Sequence, residues 1–482
     1  MNQKRPRGPV PAAACDLVMK RCARRTGAPR RQPRPRPAPL AHPLLLALLL
    51  RLVVGLAVPP AAAAAERALE RVLLPRRRAR CLDGSPAGFY VDAAPDASSW
   101  IIFLEGGGQC DSHATCAARA KTALGSSRRW PAALRPTRGR DHYLPLLSSD
   151  RTVNPLADTL TGRVYVPYCT GDFHAGTRKK PVRLKKGAKR KWWFHGRRNL
   201  DAVVETLVAA HGLGDATEVL LMGVSAGAMG VFFNVDRIAA ALPAAAVRGV
   251  PIAGLFSPAG DDEGTSVATF GDFKRGKLEA DTVYAGSGTA NVWGVRVPGA
   301  CAAALGARCT MSIGVLYPFI EAELFVVQNT WDSFDVDGLM GVPTRYRAFD
   351  EWVRVPEYAT DRPAVKRYLL DYYRPAAVAT FTGARKKAGD GLWMPACSLH
   401  FENVIICSEG MTGIGDHDLC SVRTAPFQPG IVSEGLTPPQ TFLWWYRGGR
   451  NGKHRVVDDC GGGGLEVDCN PECIVPWLQA YL

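Results

Sequence analysis

The chain has 482 residues, and 47% of them are apolar, so it can bury a large core and is not disordered throughout. Residues 1–80 contain 18 Lys and Arg against 3 Asp and Glu, a balance of +15, which leaves +1 of the total net charge of +16 for residues 81–482. The net charge of that larger part therefore predicts no binding of nucleic acid. No apolar run reaches the roughly 18 uncharged residues of a membrane-spanning helix, which excludes a polytopic membrane protein.

The first 65 residues have the order of features of a secretory signal. Residues 1–42 are rich in Arg and Pro and are predicted to be disordered. An apolar run over 43–58, interrupted by Arg51, precedes small residues that end at Ala65, where we expect cleavage. This order predicts a secreted, extracellular or cell-wall protein. A membrane anchor over 43–58, initiation at Met19 and an organelle presequence remain alternatives. Residues 66–80 are predicted to be a basic linker and residues 81–482 a single folded domain.

Strand-like and helix-like segments alternate in the folded domain. Apolar runs predict buried strands at 100–104, 163–168 and 218–222, and helical spacing of apolar residues predicts helices around 200–208 and 231–242. Strands that alternate with helices predict a mostly parallel sheet flanked by helices. Such a sheet places its active site at the carboxyl ends of the strands.

A glycine-rich loop, Glu105–Gly108, follows the first of these strands. Glycine allows a backbone N–H group to approach a ligand closely, as in loops that hold a phosphate or an oxyanion. No Lys-Ser or Lys-Thr pair follows the glycines, so a nucleotide-binding P-loop is not predicted.

A basic loop spans residues 178–198. Residues 178–191 contain nine Lys and Arg, and Trp192 and Trp193 adjoin them. This composition is typical of a surface that binds a sulfated or uronate polysaccharide, and it is equally typical of a solvated loop with no partner. Tryptophans beside basic residues do not by themselves indicate a nucleic-acid site.

The segment Gly223–Gly227 has the pattern G-x-S-x-G, with a predicted strand before it and a predicted helix after it. This context is typical of a nucleophile elbow, which exposes a serine hydroxyl at a sharp turn beside a helix N-terminus. An ordinary serine in a tight turn is the alternative. Esterases with such an elbow carry a glycine-rich oxyanion loop upstream, so we expect the N–H of Ala226 to act with that of Gly107 or Gly108.

A carboxylate and a histidine are expected after Ser225 in the chain. A predicted strand over 324–328 precedes Asp332, Asp335 and Asp337, and Asp332 is nearest to its end. The alternative is that at least two of these aspartates are surface loop residues.

Three histidines follow the serine. His400 lies on a loop that enters a predicted strand over 401–406, whereas His417 lies in a polar turn. His454 stands between Lys453 and Arg455, which predicts a solvated side chain. The sequence therefore favours His400 as the base.

Fourteen cysteines are present, and twelve of them lie in residues 81–482. An even number behind an export signal favours disulfides over buried free thiols. Zinc is not predicted, because no pair of CxxC motifs occurs. Connectivity stays open, although Cys110 with Cys116 and Cys301 with Cys309 are reasonable neighbours.

Several segments of the sequence together carry a family resemblance. They are Phe103–Cys110, Pro167–Asp172, Phe194–Gly196, Leu221–Gly230 with Asn234–Asp236, Leu324–Gln328 and Cys469–Cys473. These segments resemble the pectin acetylesterase and Notum family of secreted carboxylesterases. The resemblance covers most of residues 81–482. It implies a catalytic triad of Ser225, Asp332 and His400, an α/β-hydrolase-like fold stabilised by disulfides, and no metal or other cofactor.

Some positions depart from the family pattern. Gly108 and Gln109 stand where the Notum and the plant branches, respectively, carry a tryptophan, and Ala228 replaces a usual glycine. The surroundings of Ser225 resemble the Notum branch, which acts on a palmitoleate ester of a secreted signalling protein, whereas those of Asp332 resemble the plant branch.

The resemblance implies a serine esterase that removes acetyl groups from a cell-wall polysaccharide such as pectin, or a fatty acyl group from a protein. The expected partners are this acylated substrate and an acidic glycan on residues 178–198, with no nucleic acid, and a membrane only through an uncleaved leader. The alternative is a non-catalytic extracellular protein that binds polysaccharide on the same fold.

Overall fold

A computed structural model describes most of the chain after residue 65. The described residues are 66–136, 145–151, 154–260, 265–280, 291–310, 312–342, 362–383, 387–398, 400, 433–449, 452–459, 467, 469–470 and 473. The predicted leader over 1–65, the predicted strand over 401–406 and His417 lie outside them, so these predictions remain untested.

The strands in the described residues form a large mixed sheet and a small antiparallel pair. The sheet contains β1 (Leu69–Leu73), β2 (Gly88–Ala93), β3 (Ser99–Leu104), β4 (Ala133–Leu134), β5 (Gly162–Val166), β6 (Glu218–Val224), β7 (Ala246–Ile252), β10 (Phe325–Val327), β11 (Gly391–Met394) and β12 (Arg455–Val457). The pair consists of β8 (Ser266–Val267) and β9 (Glu279–Ala280).

The large sheet has the order β12-β11-β10-β7-β6-β3-β5-β2-β1-β4. The seven strands from β12 to β5 run parallel to one another, while β2, β1 and β4 add antiparallel pairings at one edge. The carboxyl ends of β3, β6, β10 and β11 therefore meet at one edge of the sheet, where ligands bind in sheets of this type.

Helices connect the strands of the sheet. The α-helices in the described residues are α1 (His113–Arg119), α2 (Gly196–Ala210), α3 (Ala226–Ala241), α4 (Phe270–Lys274), α5 (Gly299–Leu305), α6 (Ile313–Leu316), α7 (Arg362–Arg367), α8 (Arg374–Thr382) and α9 (Pro438–Tyr446). Short 3-10 turns occur at Ser127–Arg129, Pro145–Leu147, Leu213–Asp215, Gly306–Thr310 and Tyr317–Phe319, and π-helical turns at Phe334–Leu339 and Tyr368–Tyr373. None of the helices within the described ranges is both long and apolar enough to cross a bilayer.

The central strand β6 is buried along almost its whole length. Every residue from Val219 to Val224 is buried, as a strand covered on both faces requires. The helix α3 that follows packs against β6 and β7. This arrangement confirms the prediction of a mostly parallel sheet flanked by helices, although α3 begins at Ala226 rather than at 231 and β5 ends at Val166 rather than at 168.

The predicted basic linker over 66–80 is wrong in its central part. Residues 69–73 form β1, which pairs with β2 and β4, and Leu69 and Leu74 are buried in the core. The short apolar run of this strand is interrupted by Glu70 and Arg71 and followed by three arginines, so the charges obscured its alternation.

Four disulfides join described cysteines: Cys81–Cys169, Cys110–Cys116, Cys301–Cys309 and Cys397–Cys473. The two neighbouring pairs were expected, and the two long-range pairs were not. Cys469 is disulfide-bonded as well. The prediction of a disulfide-stabilised fold is therefore confirmed.

Candidate active site

Ser225 lies at a strained corner between β6 and α3. Its backbone has φ 52° and ψ −117°, a left-handed conformation that is uncommon outside glycine. The corner needs the flanking glycines, because a Cβ at Gly223 would lie 2.4 Å from the carbonyl oxygen of Gly227, and one at Gly227 would lie 2.1 Å from that of Leu104. The segment therefore has the tight geometry of a nucleophile elbow.

The structure brings His400 and Asp332 to this serine. Nε2 of His400 lies 3.0 Å from Oγ of Ser225, within reach of a hydrogen bond donated by the serine hydroxyl. Nδ1 of His400 lies 2.7 and 2.8 Å from the two carboxylate oxygens of Asp332. All three side chains are buried, with at most 2% exposed. The three groups form a continuous line of hydrogen bonds across a separation of 175 residues.

Further contacts fix the carboxylate of Asp332. The side-chain amide of Gln328 donates to Oδ2 of Asp332 at 3.1 Å, and the backbone N–H of Phe334 donates to Oδ1 at 3.0 Å. Gln328 is itself oriented because its Oε1 accepts the backbone N–H of Leu255 at 2.9 Å. Each carboxylate oxygen thus has a second donor besides the imidazole, which restricts rotation of the carboxylate.

Aromatic side chains hold the imidazole of His400. Phe334 stacks on it with ring centroids 5.1 Å apart and an interplanar angle of 23°. Phe256 packs against Phe334 at 5.0 Å and lies 6.2 Å from the imidazole. These rings exclude water from one side of the histidine, which strengthens the hydrogen bonds that it makes.

The glycine loop after β3 lies beside Ser225. A Cβ at Gly106 would lie 3.3 Å from Cβ of Ser225 and 2.6 Å from the carbonyl oxygen of Val224. Gly107 has φ +126° and Gly108 has φ +65°, backbone conformations that favour glycine. The N–H groups of Gly107, Gly108 and Ala226 donate to no acceptor in the part of the chain that the structure describes. Three buried donors without a partner among the described residues therefore lie next to Ser225 in the chain, as Ala226 does, or in the loop that Gly106 brings against it.

Glu105 anchors the start of this loop from inside the protein. Its side-chain Oε2 accepts the backbone N–H of Tyr168 at 2.6 Å, and its carbonyl oxygen lies 2.9 Å from Nε2 of His174. Burial raises the pKa of Glu105 to about 7 and lowers that of His174 to about 4. Because neutral His174 can donate from Nε2, it holds the Glu105 carbonyl in place.

The other sequence candidates lie elsewhere. Asp335 is completely buried and accepts hydrogen bonds from the backbone N–H of Ser257 and the hydroxyl of Tyr373, so it is not a surface loop residue. Asp337 is half-buried. His454 is only 5% exposed, so the prediction of a solvated side chain is wrong. Its neighbour Arg455 belongs to β12, where the alternation of a strand directs successive side chains to opposite faces.

Sequence reasoning missed the residues that support the site. Gln328 carried a detectable signal, since a polar residue directly after a buried strand commonly faces the active-site edge of a parallel sheet. Phe334 and Phe256 carried none, because aromatic residues are common in any core. Arg119, whose side chain contacts the glycine loop, also had no signal, since the basic end of a short helix resembles an ordinary surface position.

The basic loop is held at its base, where Trp192, Phe194 and His195 are buried and α2 begins at Gly196. Val182 and Trp192 exchange two backbone hydrogen bonds of 2.8 Å, and Trp192 is completely buried. All nine Lys and Arg of residues 178–191 are exposed. The loop therefore presents a dense positive surface on a fixed base.

Comparisons with known proteins show which family the chain matches. A family model described as Pectinacetylesterase matches residues 63–410. Human palmitoleoyl-protein carboxylesterase NOTUM is 36% identical over 191 residues, which cover 38% of this chain and 36% of that protein, so the match spans about a third of the human relative. Pectin acetylesterase 5 of Arabidopsis thaliana is 26% identical over 402 residues, which cover 82% of each chain.

The fold also has a solved counterpart. The crystal structure of the Wnt deacylase Notum from Drosophila resembles this structure with a TM-score of 0.61 and 24% identity, and the match covers 85% of this chain and 100% of that chain. At this identity the likeness shows a common α/β-hydrolase-like fold. Because the family model covers most of the chain, the protein belongs to the pectinacetylesterase family.

Proposed function

We propose that this protein is a serine carboxylesterase that removes O-acyl groups from its substrate. Ser225 is the nucleophile, His400 is the general base and acid, and Asp332 orients the imidazole. The observation that carries the proposal is the continuous line of hydrogen bonds from Ser225 through His400 to Asp332. Strain at Ser225 supports it, since an outlying backbone conformation at a buried serine is common at active sites.

The geometry accounts for each step of ester hydrolysis. Nε2 of His400 takes the hydroxyl proton as Oγ of Ser225 attacks the ester carbonyl, and then gives that proton to the leaving alcohol. Asp332 holds a proton on Nδ1 of His400, so Nε2 is free to accept the serine proton. The negative charge of Asp332 then stabilises the imidazolium that forms. A water molecule, activated by the same imidazole, then hydrolyses the acyl-Ser225 ester.

The oxyanion of the tetrahedral intermediate needs donors that are already in place. The N–H groups of Gly107, Gly108 and Ala226 are the candidates, because they are buried, unpartnered within the described residues and near Ser225. Ala226 is also the first residue of α3, whose N-terminus carries a partial positive charge. Removal of one such donor typically costs about 3 kcal/mol of transition-state stabilisation.

Two substrate classes follow from the names of the relatives. Pectin acetylesterases act on an acetylated polysaccharide, and palmitoleoyl-protein carboxylesterases act on a fatty acylated protein. The two classes share the acyl-serine chemistry and differ in the length of the acyl group, so the depth of the acyl pocket decides between them.

A series of p-nitrophenyl esters from acetate to hexadecanoate tests the activity and the acyl length together. We expect hydrolysis of at least one member, and Ser225→Ala should lower kcat by about 10⁴-fold or more. Asp332→Asn should lower it by about 10⁴-fold because the imidazole would take the wrong tautomer. Unchanged turnover by Ser225→Ala would refute the nucleophile. If the wild type cleaves no ester, the non-catalytic polysaccharide-binding alternative replaces the esterase.

We also propose that the protein is secreted and that residues 178–198 bind an acidic glycan. The support for the glycan site is the exposed set of nine basic side chains on a fixed base. Retention on an immobilised sulfated polysaccharide should fall when Lys185, Lys186 and Lys189 are changed to Gln, while hydrolysis of a small ester stays unchanged. Equal retention of the triple variant would contradict the glycan site.

A further inference from the structure

Arg119 makes an unusual contact with the glycine loop. It is the last residue of α1, and its Nη2 donates to the carbonyl oxygen of Gly107. Its Nη1 reaches the carbonyl oxygen of Leu124 at 3.4 Å, and its guanidinium lies 5.3 Å above the ring of Tyr168. A cation from outside the triad is thus bonded to the peptide that carries one of the proposed oxyanion donors.

The geometry of the peptide group connects this contact to catalysis. In a trans peptide, the C=O of one residue and the N–H of the next point in opposite directions. Because Arg119 holds the Gly107 carbonyl, it also fixes the direction of the Gly108 N–H, which belongs to the same rigid plane. A charge-assisted hydrogen bond to the carbonyl further polarises the peptide and makes its N–H a stronger donor.

A constraint of this kind is needed because the two flanking residues are glycines. Gly107 and Gly108 both have positive φ, and glycine can adopt other conformations without steric penalty, so the peptide between them can rotate. A Cβ at Gly107 would lie 2.7 Å from the side chain of Leu124, so the space beside the Cα of Gly107 is already filled. The guanidinium of Arg119 is the polar contact that selects one orientation of this peptide.

The position of Arg119 is itself well determined. Cys116 in the same helix is joined to Cys110, two residues after Gly108, by a disulfide. The N–H of Cys110 donates to Gly171 at 3.0 Å, and its carbonyl oxygen accepts the indole N–H of Trp293 at 3.2 Å. The end of the glycine loop and the helix that carries Arg119 therefore move as one unit.

We propose that Arg119 is a positioning residue for the oxyanion hole, which it controls through the Gly107–Gly108 peptide. The inference rests on the proposed esterase function and goes beyond it, because Arg119 contacts none of the reacting groups. We expect a loss in kcat with little change in KM, since the Gly108 N–H acts most strongly on charge that develops in the transition state.

The variants are chosen to keep the fold. Arg119→Lys retains the positive charge beside the buried carboxylates of Glu105 and Asp172 but loses the planar fork, and Arg119→Gln retains a single neutral donor. Arg71→Lys is the matched control, because Arg71 also donates to a loop carbonyl, that of Trp130, from an antiparallel strand at the far edge of the sheet.

The experiment compares turnover with the binding of two inhibitors. The concentration of active enzyme is determined for each variant by titration of the active site with a fluorophosphonate. For Arg119→Lys and Arg119→Gln we expect kcat to fall about 10- to 100-fold and a trifluoromethyl ketone, which forms an oxyanion with Ser225, to bind weaker by a similar factor. An uncharged amide analogue of the substrate should bind as before, and Arg71→Lys should behave as wild type.

Two outcomes would overturn the inference: kcat of both Arg119 variants within twofold of wild type, or a fall in kcat with unchanged binding of the ketone. If the wild-type protein hydrolyses no ester, the esterase function fails, a result that is distinct from either outcome for the variants.

Discussion

Asp332 and Asp335 are both completely buried and only three residues apart, yet their carboxylates have separate partners. Asp332 accepts from His400, whereas Asp335 accepts from the backbone N–H of Ser257 at 2.9 Å and from the hydroxyl of Tyr373. Burial raises the pKa of Asp335 to about 7, and the nearby charge of Asp332 adds to this rise. One carboxylate thus orients the imidazole, while burial favours the protonated form of the other.

The raised pKa of Asp335 predicts a particular pH dependence of stability. A carboxyl group whose pKa is higher in the folded than in the unfolded protein stabilises the fold below its unfolded pKa, about 4, and this contribution is lost as the pH rises through about 7. The loss is at most about 4 kcal/mol, at about 1.4 kcal/mol per pKa unit. Asp335→Asn removes the titration and keeps the shape of the side chain.

Urea unfolding of the two proteins at pH 5 and pH 8 measures this effect. The free energy of unfolding of Asp335→Asn, relative to wild type, should increase from pH 5 to pH 8. Glu105 and Asp172, whose pKa values burial raises to about 7 and about 6, are present in both proteins and cancel in the comparison. The exposed Asp96→Asn is the control. If the difference in free energy of unfolding between Asp335→Asn and wild type were the same at both pH values, the raised pKa of Asp335 would be contradicted.

Gln328 is predicted to orient Asp332 rather than to bind substrate. Gln328→Ala removes the donor to Oδ2 of Asp332, and a hydrogen bond to a charged group contributes about 1.5–3 kcal/mol. We expect kcat to fall about 10-fold with unchanged KM. Gln328→Glu keeps the acceptor for the N–H of Leu255 but sets a second carboxylate against Asp332, so its kcat should fall further. Steady-state kinetics on a soluble ester would refute this role if Gln328→Glu matched wild type.

The approach of the glycine loop to the elbow predicts that Gly106 tolerates no side chain. A Cβ there would lie 2.6 Å from the Val224 carbonyl oxygen, so Gly106→Ala must displace the loop or the elbow. We expect at least a 10-fold loss of kcat and a loss of about 1–3 kcal/mol in the free energy of unfolding. Gly299→Ala is the control, since no heavy atom lies within 4 Å of its Cβ position. Wild-type kcat in Gly106→Ala would show that the loop is not close-packed there.

The sequence predicted the parts of this protein that depend on local pattern. The buried strand, the G-x-S-x-G turn and the following helix identified the elbow at Ser225, because tight turns and helical periodicity are encoded in a few adjacent residues. The order of elements likewise predicted the parallel sheet. Asp332 was selected by its position after a predicted strand, His400 by its place on a loop that enters one, and both by family resemblance. The structure brings both to hydrogen-bonding distance of their partners.

The contacts that join distant parts of the chain were not predictable from pattern. The contact of Gln328 with Asp332 depends on the path of the chain after β10. The contact of Arg119 with Gly107 depends on the direction of a short helix, which the sequence does not determine. Burial of charged residues was missed for the same reason, since Asp335 and His454 stand in polar stretches that resemble surface loops. For Asp335 the compensating partners are Ser257 and Tyr373, which are distant in sequence.

The disulfide Cys397–Cys473 is predicted to hold the histidine segment against the aspartate. Cys397 lies three residues before His400, and its carbonyl oxygen accepts the N–H of Trp331, the neighbour of Asp332, at 3.1 Å. A double Cys→Ser variant should lose about 4.5 kcal/mol of unfolding free energy on a chain-entropy estimate, against about 2.5 kcal/mol for the shorter Cys301–Cys309 loop. Only the former variant should also lower kcat, because the imidazole would lose its fixed position. Urea unfolding and kinetics of both variants test this, and equal kcat values would contradict it.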